Sequence, residues 1–499
     1  MLDQISKDTF QNQVDVTKVY DLVVIGAGVA GLNALYAATR YLPKGSSVLL
    51  LDEKAMAGGM WNTAYDFVRL HQPHPMFTVG DLRWDWRKPR DYLARRDEVR
   101  DHLSSSLESV AKLVNLDCCF ETKVVSSNEV GTSEGYRARI VFHRNDHPDQ
   151  KATIEARQAV YAPGLNYKET QPLAFSTDAV ASIIPQDLLE TLKSHPSTPV
   201  YVVGGGKTGM DTVLAVLAKG DGRKVSLING RGTNFLNRTK YIPNGLKRWT
   251  SGLPVSRLFR DLALKFDGDN ETQTIDHFRR HHATDTQSPN GVFLYGLQSE
   301  EEHHRIASGL QQTIGDYLVD VAGTQEGLEI LLRNGEPLEV EPGSIFVNCT
   351  GSFFRADEMA EPMSCISPHG TIVSINARDA FHFLTSVAGF FLMHLLYRGE
   401  LRGRGFYTLD LEALFRKDRN AWVGASAAQA YMNQVIAVQT LPMMLLDRCG
   451  LDLDRWYPFP RRMAALYQMK ATANEDIAHC RAVLDRVADR FEVRCASLN

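Results

Sequence analysis

Two stretches of the chain repeat one order of hydrophobic and polar positions: an apolar run, a glycine-rich turn and a second apolar run with helical spacing. Each predicts a strand, a helix and a second strand, at 23–25, 32–41 and 48–51 in the first unit and at 200–203, 210–218 and 225–228 in the second. Alternating strands and helices of this kind are typical of α/β folds with parallel sheets.

Weaker patterns fill the rest of the chain. Residues 97–114 place apolar side chains at helical spacing and predict an amphipathic helix. Strands near 120–126, 137–143 and 152–155 predict a small antiparallel meander laid over the first unit. Residues 381–398 predict a strand, a turn and a buried helix, and the last part of the chain predicts helices without a motif.

The glycines of the first unit have the spacing that pyrophosphate binding needs. Gly26 allows a tight turn from strand to helix, Gly28 keeps Cβ atoms away from a phosphate, and Gly31 lets the helix lie close to the strand. The helix N-terminus then faces the anion. Asp52 ends the second strand, where a carboxylate can accept hydrogen bonds from ribose hydroxyls. A dinucleotide site is predicted here.

The second unit repeats the fingerprint with Gly204, Gly206 and Gly209. Its second strand is followed by Arg231 and carries no acid at the position equivalent to Asp52. An arginine there favours a 2′-phosphate, so the predicted ligand is NADPH. Lys207 and Thr208, at the helix N-terminus, are predicted to reach the pyrophosphate, and Arg238 or Lys240 are further candidates for the phosphate.

Composition narrows the class of protein. The chain has 499 residues, a formal net charge of −4 and 44% hydrophobic residues, which gives no reason to expect a nucleic acid or an anionic membrane as partner. No apolar run reaches the length of a membrane span, no secretory signal is visible, and seven scattered cysteines indicate a cytoplasmic protein. The polar stretch 232–310 contains two histidine pairs without a third ligand at supporting spacing, so no metal is predicted.

The run that follows Asp52 carries a family resemblance. Gly58, Gly59, Met60 and Trp61 match the Gly-Gly-x-Trp of the class B-type flavin-dependent monooxygenases, which include flavin-containing, Baeyer–Villiger and auxin-forming enzymes. The resemblance implies that the first dinucleotide is FAD, that Gly59 brings backbone close to it, and that Trp61 covers one side of the isoalloxazine pocket. Strand-like runs ending at 164 and at 351 resemble the family's returning strands.

The segment around His71 resembles the auxin-forming members, in which Leu-His-x-Pro precedes a cationic residue. By that resemblance His71 holds the place that steadies the oxygen adduct of the flavin, with Gln72 beside it and Arg69 and His74 as weaker candidates. An imidazole N–H is a suitable donor to a peroxide oxygen, and an ordinary imidazole titrates near working pH. These histidines could instead be ordinary capping or surface residues.

The resemblance further implies that Thr385 and Ser386 open a helix whose N–H groups face the flavin pyrimidine. It implies two Rossmann-like domains, the second inserted in the first, followed by a helical C-terminal region. The predicted boundaries are an FAD domain over 1–170 and 346–405, an NADPH domain over 171–345 with an irregular insertion near 232–310, and a helical region over 406–499.

The predicted activity is NADPH-dependent oxygenation of a small organic molecule with O₂, through a peroxy-flavin. The stretch from Phe175 to Val180 lacks the F-x-G-x-x-x-H of Baeyer–Villiger members, so N- or S-oxygenation or hydroxylation is favoured over oxygenation of a ketone. A flavin reductase or oxidase that inserts no oxygen is the alternative. A disulfide reductase would need a redox cysteine pair. Substrate identity and assembly into a homo-oligomer are left open.

Overall fold

The computed structural model describes residues 14–165, 169–285, 291–325, 327–351, 354 and 364–498. The opening residues 1–13, on which the prediction of no secretory signal partly depends, lie outside this range. Within it, two separate sheets form the two predicted nucleotide units. The predicted α/β class with a helical C-terminal region is therefore confirmed.

The first sheet has seven strands in the order β3-β2-β1-β6-β5-β4, with β17 also paired to β6. Its parallel part places β1 between β2 and β6, so the glycine turn after β1 lies at the centre of the sheet's carboxyl edge. The elements of this part are β1 (Val19–Ile25), α1 (Val29–Ala38), β2 (Ser47–Leu51), α2 (Arg96–Ala111), β3 (Asn115–Cys119), β4 (Thr122–Thr132), β5 (Gly135–Arg144) and β6 (Ala152–Tyr161).

The antiparallel meander does not lie over the first unit, as the sequence predicts, but continues its sheet. The first half of β6 pairs with β5 in the antiparallel sense, and its second half pairs with the returning strand β17 (Ile372–Ser374) in the parallel sense. From Glu155 to Tyr161, β6 also pairs with β1 on its other edge. Strand β6 has ten residues and is long enough to pair with two different strands along the same edge. A local sequence pattern does not reveal such pairing.

The second sheet is entirely parallel, in the order β12-β9-β8-β16-β7. A small antiparallel sheet of β13, β14 and β15 accompanies it. The elements are β7 (Ala181–Ile183), α3 (Leu188–Ser194), β8 (Val200–Val203), α4 (Lys207–Leu217), β9 (Val225–Ile228), β12 (Gln312–Ile314), β13 (Leu318–Gly323), β14 (Leu328–Leu332), β15 (Pro337–Glu339) and β16 (Ile345–Asn348). All these strands lie in sequence between β6 and β17, as an inserted second unit requires.

The stretch 232–310, expected to be irregular, is largely regular where the structure describes it. It contains β10 (Thr233–Asn237), α5 (Arg238–Tyr241), α6 (Val255–Lys265), α7 (Glu271–His282), β11 (Val292–Gln298) and α8 (Glu300–Gly309). Short helices separated by Pro, Gly and Asp give weak periodicity over any long window. Leu258 and Leu262 of α6 are nonetheless fully buried.

The C-terminal region is mainly helical and contains one small sheet. Its elements are α9 (Thr385–Tyr397), β18 (Tyr407–Leu409), α10 (Leu411–Lys417), α11 (Arg419–Thr440), α12 (Met443–Leu446), α13 (Phe459–Ala471), α14 (Ala473–Arg490) and β19 (Cys495–Ser497). Residues 381–384 form no strand, contrary to the pattern. Helix α11 packs against α6, α7, α10 and α14, and the largest hydrophobic core joins these helices to the first sheet. Among the described helices, none is long and apolar enough to cross a membrane.

Candidate cofactor and active site

The first glycine turn is built so that only glycine fits at two of its positions. Gly26 has a φ of +105°, and a Cβ there would lie 2.1 Å from the carbonyl oxygen of Ala162. A Cβ on Gly31 would lie 1.9 Å from the carbonyl oxygen of Gly26. Helix α1 therefore begins in direct contact with the turn, as a dinucleotide fingerprint requires.

A second glycine pair meets this turn from another part of the chain. Gly59 has a φ of +54°, and a Cβ on it would lie 2.9 Å from Cα of Gly28. Gly28 is the N-cap of α1 and offers no side chain to the free N–H groups of the helix. Two backbone segments without side chains thus converge at a helix N-terminus, which suits close approach of a pyrophosphate.

Asp52 is fixed beside the same turn. Its carboxylate accepts hydrogen bonds from the backbone N–H of Ala27 at 2.5 Å and of Lys54 at 2.7 Å. Burial raises the pKa of Asp52, although these two donors partly offset the effect. The carboxylate is held in one orientation and keeps further lone pairs with which it can accept from a ribose hydroxyl.

The residues expected around the flavin ring lie on a 3₁₀ turn and at the start of helix α9. Trp61 belongs to the 3₁₀ turn Gly59–Asn62, where it is buried and meets Phe77 edge-on at 5.9 Å between ring centroids. Thr385 and Ser386 are the first residues of α9. This helix packs closely on α1 because Gly389 has no Cβ; a Cβ there would lie 2.4 Å from the carbonyl oxygen of Ala30. The N-terminal turns of α1 and α9 are therefore neighbours.

The second turn repeats this construction. A Cβ on Gly204 would lie 2.6 Å from the carbonyl oxygen of Cys349, and one on Gly209 would lie 2.0 Å from that of Gly204. A Cβ on Gly206 would meet nothing within 4 Å. Gly206 is the N-cap of α4 and thus faces open space, where a dinucleotide phosphate could lie.

Arg231 is exposed just beyond β9, and no hydrogen bond or ion pair to the described chain engages it. Nearby, a Cβ on Gly230 would meet the ring of Tyr317 at 2.6 Å, and the guanidinium of Arg333 lies 4.1 Å from the centroid of that ring. Sequence reasoning missed Tyr317 and Arg333, because they reach this place from a distant hairpin and belong to no motif.

Lys207 does not point freely at the turn. Its ammonium forms an ion pair with Asp211, one helical turn along α4, and Asp211 also accepts a hydrogen bond from the hydroxyl of Tyr65 at 2.9 Å. Thr208 contributes a further side-chain hydrogen bond to Tyr65. The N-terminus of α4 is thus tied to the loop of the first unit that leads to His71, a link that no spacing in the sequence indicates.

His71 lies where three parts of the chain meet. Arg238 of the inserted stretch donates to the carbonyl oxygen of His71 at 3.1 Å and pairs with Glu302 at 2.8 Å, so it is not free for a phosphate. Burial, reinforced by the charges of Lys207 and Arg238, holds the pKa of His71 well below its ordinary value. An ordinary imidazole titrates near working pH, whereas these surroundings favour the neutral form of His71.

The candidate residues near His71 fall into two groups: side chains that are available to a ligand and side chains that are already hydrogen-bonded. The imidazole of His71 and the amide of Gln72 are both partly exposed, form no hydrogen bond within the described part of the chain and are available to a ligand. His74 is buried among Trp84 and Trp86, with Nδ1 3.2 Å from the carbonyl oxygen of Tyr92. His74 is thus a packing residue. Arg69 donates to the carbonyl oxygen of Leu93 at 3.2 Å, and Lys240 to that of His281 at 2.6 Å.

The cysteines form no redox pair. All seven lie in the described part of the chain, none is in a disulfide, and only Cys495 is exposed. Burial raises the pKa of five thiols to about 12, namely those of Cys118, Cys349, Cys365, Cys449 and Cys480. Thiols of this kind are protonated and unreactive at neutral pH.

Comparison with known proteins agrees with the two units. The sequence profile of the pyridine nucleotide-disulphide oxidoreductase family matches residues 20–241, a little under half of the chain. An uncharacterised protein of Mycobacterium tuberculosis is 29% identical over 211 residues, covering 40% of this chain and 36% of that protein. The FAD-containing monooxygenase EthA of the same organism is 24% identical over 241 residues, 47% of each chain. The chain spans less than half the length of these curated relatives.

Solved structures with a similar arrangement are more distant in sequence. Ornithine hydroxylase PvdA from Pseudomonas aeruginosa is 16% identical, with a TM-score of 0.48 over 76% of this chain and 99% of that chain. The ornithine N-hydroxylase KtzI from Kutzneria sp. 744 is 14% identical, with a TM-score of 0.47 over 77% and 97%. Over its matched part, the chain is similar to the pyridine nucleotide-disulphide oxidoreductase family, and its resemblance to FAD-containing monooxygenases is confirmed by EthA.

Proposed function

We propose that the chain is an NADPH-dependent, FAD-containing monooxygenase that oxygenates a small organic molecule with O₂. One observation carries the proposal: Asp52 directly follows the second strand of the first unit, whereas the second strand of the second unit is followed by Asn229 and, two residues later, by Arg231. A carboxylate accepts from a free ribose, whereas an unpaired arginine favours a 2′-phosphate. The first unit therefore suits FAD and the second suits NADPH.

The residues present fit these cofactors. Gly28 and Gly59 leave room for a pyrophosphate at the N-terminus of α1, and Asp52, fixed by the N–H of Ala27, would hold the ribose. Gly206 leaves the same room at α4, beside Arg231. When bound, FAD and NADPH supply hydride transfer and oxygen activation.

The chain's own contribution at the reacting centre is a neutral donor. Because His71 keeps its pKa far below the working range, it offers an N–H without a positive charge. Such a donor can hold an oxygen-derived group without protonating it. The ion pair of Lys207 with Asp211 and the bond from Tyr65 keep the loop before His71 in place.

Within this class, N- or S-oxygenation or hydroxylation is the proposed reaction type. The printed description of EthA as an FAD-containing monooxygenase supports oxygen insertion. The protonated, buried cysteines argue against disulfide reduction, the activity named by the matching family profile. An NADPH-dependent reductase or oxidase without oxygen insertion is the second candidate, since it needs the same two cofactor sites.

The test separates these candidates. NADPH is added to the purified protein without oxygen, and the flavin absorption is followed; bleaching shows that hydride reaches the flavin. Oxygen is then admitted in the presence of amines, thioethers, ketones and amino acids, and NADPH consumption is compared with released hydrogen peroxide. Consumption that exceeds peroxide with one substrate class supports the monooxygenase, whereas equal amounts with every class support an oxidase.

We also propose a cytoplasmic location, which the absence of a disulfide among the seven cysteines supports. Assembly into a homo-oligomer is a separate question, which light scattering of the purified protein answers.

A further inference from the structure

Two helices of the inserted stretch bring three metal-ligating side chains together. Asp261 lies on α6, and His277 and His282 lie on the neighbouring helix α7. The Nε2 atoms of the two histidines lie 2.6 Å and 2.7 Å from the same oxygen, Oδ2 of Asp261. All three candidate ligand atoms lie within 4.8 Å of one another. Three ligand atoms thus converge on one point.

The arrangement has the supporting contact that metal-binding histidines normally have. His282 is the last residue of α7 and is buried, and its second ring nitrogen, Nδ1, is hydrogen-bonded to the hydroxyl of Tyr241. Such a partner fixes the ring orientation and frees Nε2 to act as a ligand. The buried hydroxyl of Tyr241 can accept as well as donate, so it suits either tautomer of His282.

Nearby cations are directed away from the three side chains. Arg260 forms two hydrogen bonds with Asp476, at 2.8 Å and 3.1 Å. Lys240 donates to the carbonyl oxygen of His281 at 2.6 Å. Neither Arg260 nor Lys240 pairs with Asp261, so neither has to be displaced when an ion binds the carboxylate.

The cluster is also reachable from solvent. It borders a surface cavity of about 490 Å³, which is also lined by Tyr241, Leu258 and Leu264 and by the cations Lys240, Arg257 and Arg260. The side chain of Asp261 is 45% exposed, whereas that of His282 is only 9% exposed. A cation therefore has an entry path on the carboxylate side and room for a water molecule as a further ligand.

We propose that Asp261, His277 and His282 form a binding site for a divalent first-row transition cation. Two imidazoles and one carboxylate suit Zn²⁺ and Fe²⁺ rather than Mg²⁺, which prefers oxygen ligands. Binding requires each Nε2 to be unprotonated, with the ring proton on Nδ1, where His282 can donate it to the hydroxyl of Tyr241. It also requires the two N···O separations of 2.6 Å and 2.7 Å to lengthen to roughly 3.3 Å, the ligand separation around a tetrahedral ion with bonds of about 2.0 Å. The site ties α6 to α7 and is independent of the proposed oxygenase chemistry.

The sequence does not reveal this site. His281 and His282 form the adjacent pair visible in the sequence, yet the structure recruits His277 and Asp261 as partners for His282 instead. Asp261 belongs to a different helix, so no fixed spacing connects it with the histidines. The expectation of no metal, which rested on spacing alone, is replaced by this proposal.

The experiment measures metal stoichiometry on the full-length protein. The protein is treated with a chelator, dialysed, and titrated calorimetrically with Zn²⁺, Fe²⁺ under anaerobic conditions, and Mg²⁺; bound metal is then counted by elemental analysis. The expected result is one equivalent of Zn²⁺ or Fe²⁺ and none of Mg²⁺. In Asp261→Asn and His277→Gln the affinity is expected to fall at least a hundredfold.

Two further variants serve as controls for the measured metal affinity. Tyr241→Phe removes only the supporting hydroxyl and is expected to weaken binding by roughly tenfold. His304→Gln changes an exposed histidine on α8, outside the cluster, and is expected to bind like the wild type. His277 is not fully buried, so its variant reports on binding even where His282→Gln fails to fold. Absence of a stoichiometric equivalent in the wild type, or retention of it in His277→Gln and Asp261→Asn, overturns the proposal.

Discussion

Asp52 and Arg231 follow equivalent strands of the two units, and the proposed assignment of FAD and NADPH depends on their opposite charges. Arg231→Ala is expected to raise the KM for NADPH roughly tenfold to a hundredfold, because a charge-assisted bond to phosphate contributes about 1.5–3 kcal/mol. The KM for NADH is expected to change little. Steady-state kinetics with both nucleotides measure the difference.

Arg305→Ala is the matched control, since Arg305 is an exposed arginine on α8. It is expected to leave both Michaelis constants unchanged. Equal increases for NADPH and NADH in Arg231→Ala would remove Arg231 from the phosphate site. In that case Arg333, stacked on Tyr317 beside the same turn, becomes the arginine to test.

His71 acts as a neutral donor in this account, so its replacement should separate hydrogen bonding from size. His71→Leu is expected to increase the hydrogen peroxide released per NADPH consumed, because no N–H remains to hold an oxygen-derived group. His71→Asn keeps a neutral N–H and is expected to stay closer to the wild type. Peroxide and NADPH measured in the same assay check this; an unchanged ratio in His71→Leu would contradict it.

The pH dependence tests the same residue independently. Because burial, Lys207 and Arg238 lower the pKa of His71 far below its ordinary value, the neutral form persists until the pH falls well below 6.5. The ratio of peroxide to NADPH is therefore expected to be constant from about pH 6 to pH 8. A change in this ratio centred near pH 6.5, absent in His71→Asn, would show that His71 titrates normally.

At the scale of elements, Gly206 and Gly209 of the second glycine turn should respond differently to replacement by alanine. Gly209→Ala places a methyl group 2.0 Å from the carbonyl oxygen of Gly204 and is expected to destabilise the protein by roughly 2 kcal/mol or more. Gly206→Ala meets nothing within 4 Å and should leave stability almost unchanged. Its methyl group nevertheless projects toward the space for a phosphate, so the KM for NADPH should rise.

Thermal unfolding and NADPH kinetics of the two variants distinguish these effects. Gly206→Ala is expected to unfold like the wild type, so a raised KM for NADPH in this variant is not caused by misfolding. Gly209→Ala leaves the surface that faces the phosphate unchanged, so its main effect should be on stability. A Gly206→Ala variant with wild-type affinity for NADPH would mean that the dinucleotide does not approach the N-terminus of α4.

The strands and helices of both units could be predicted because local rules suffice for them. An apolar run meets a glycine turn, and Gly26, Gly31, Gly204 and Gly209 each stand where a Cβ would strike a carbonyl oxygen. The continuation of the meander into the main sheet could not be predicted, because β6 pairs with partners distant in sequence. The helices of 232–310 were missed because they are short and stabilised by packing on α11.

At the scale of the whole molecule, Asp476 joins three helices. Its buried carboxylate accepts hydrogen bonds from Arg260 of α6 and Tyr431 of α11, and from Thr472 beside α14. Burial alone would raise the pKa of Asp476, but these hydrogen bonds together hold it below the ordinary value of 3.8. Above pH 3.8 the ionised carboxylate therefore stabilises the packing of the inserted stretch on the C-terminal region.

Asp476→Asn is expected to lower the free energy of unfolding by roughly 2 kcal/mol at neutral pH, somewhat less than for a fully buried pair because Arg260 is partly exposed. A depressed folded-state pKa contributes stability that is present above 3.8 and is lost as the pH falls through the lower folded value. The difference between variant and wild type should therefore shrink below pH 3.8.

Denaturant unfolding at several pH values measures this difference. Asp276→Asn is the control, because Asp276 pairs with Arg279 and Arg280 on the surface of α7 and should have little effect at any pH. A loss of stability in Asp476→Asn that is the same at low and neutral pH would show that its charge is not responsible.

The cofactor-binding part of the site was largely accessible from the sequence, and its connections were not. Asp52, Trp61 and the glycines belong to motifs of fixed spacing. The link from Tyr65 to Asp211 and the approach of Arg238 to His71 join residues far apart in the chain. Burial and the charges of Lys207 and Arg238 also lower the pKa of His71, an effect that no motif encodes.

The most direct test of the central claim follows the oxygen atoms. The purified protein is supplied with NADPH, ¹⁸O₂ and, in turn, amines, thioethers, ketones and amino acids, and the products are examined by mass spectrometry. The account predicts that one substrate class acquires a single ¹⁸O atom in an amount that accounts for most of the NADPH consumed. Quantitative release of labelled hydrogen peroxide with no labelled product from any class would contradict it.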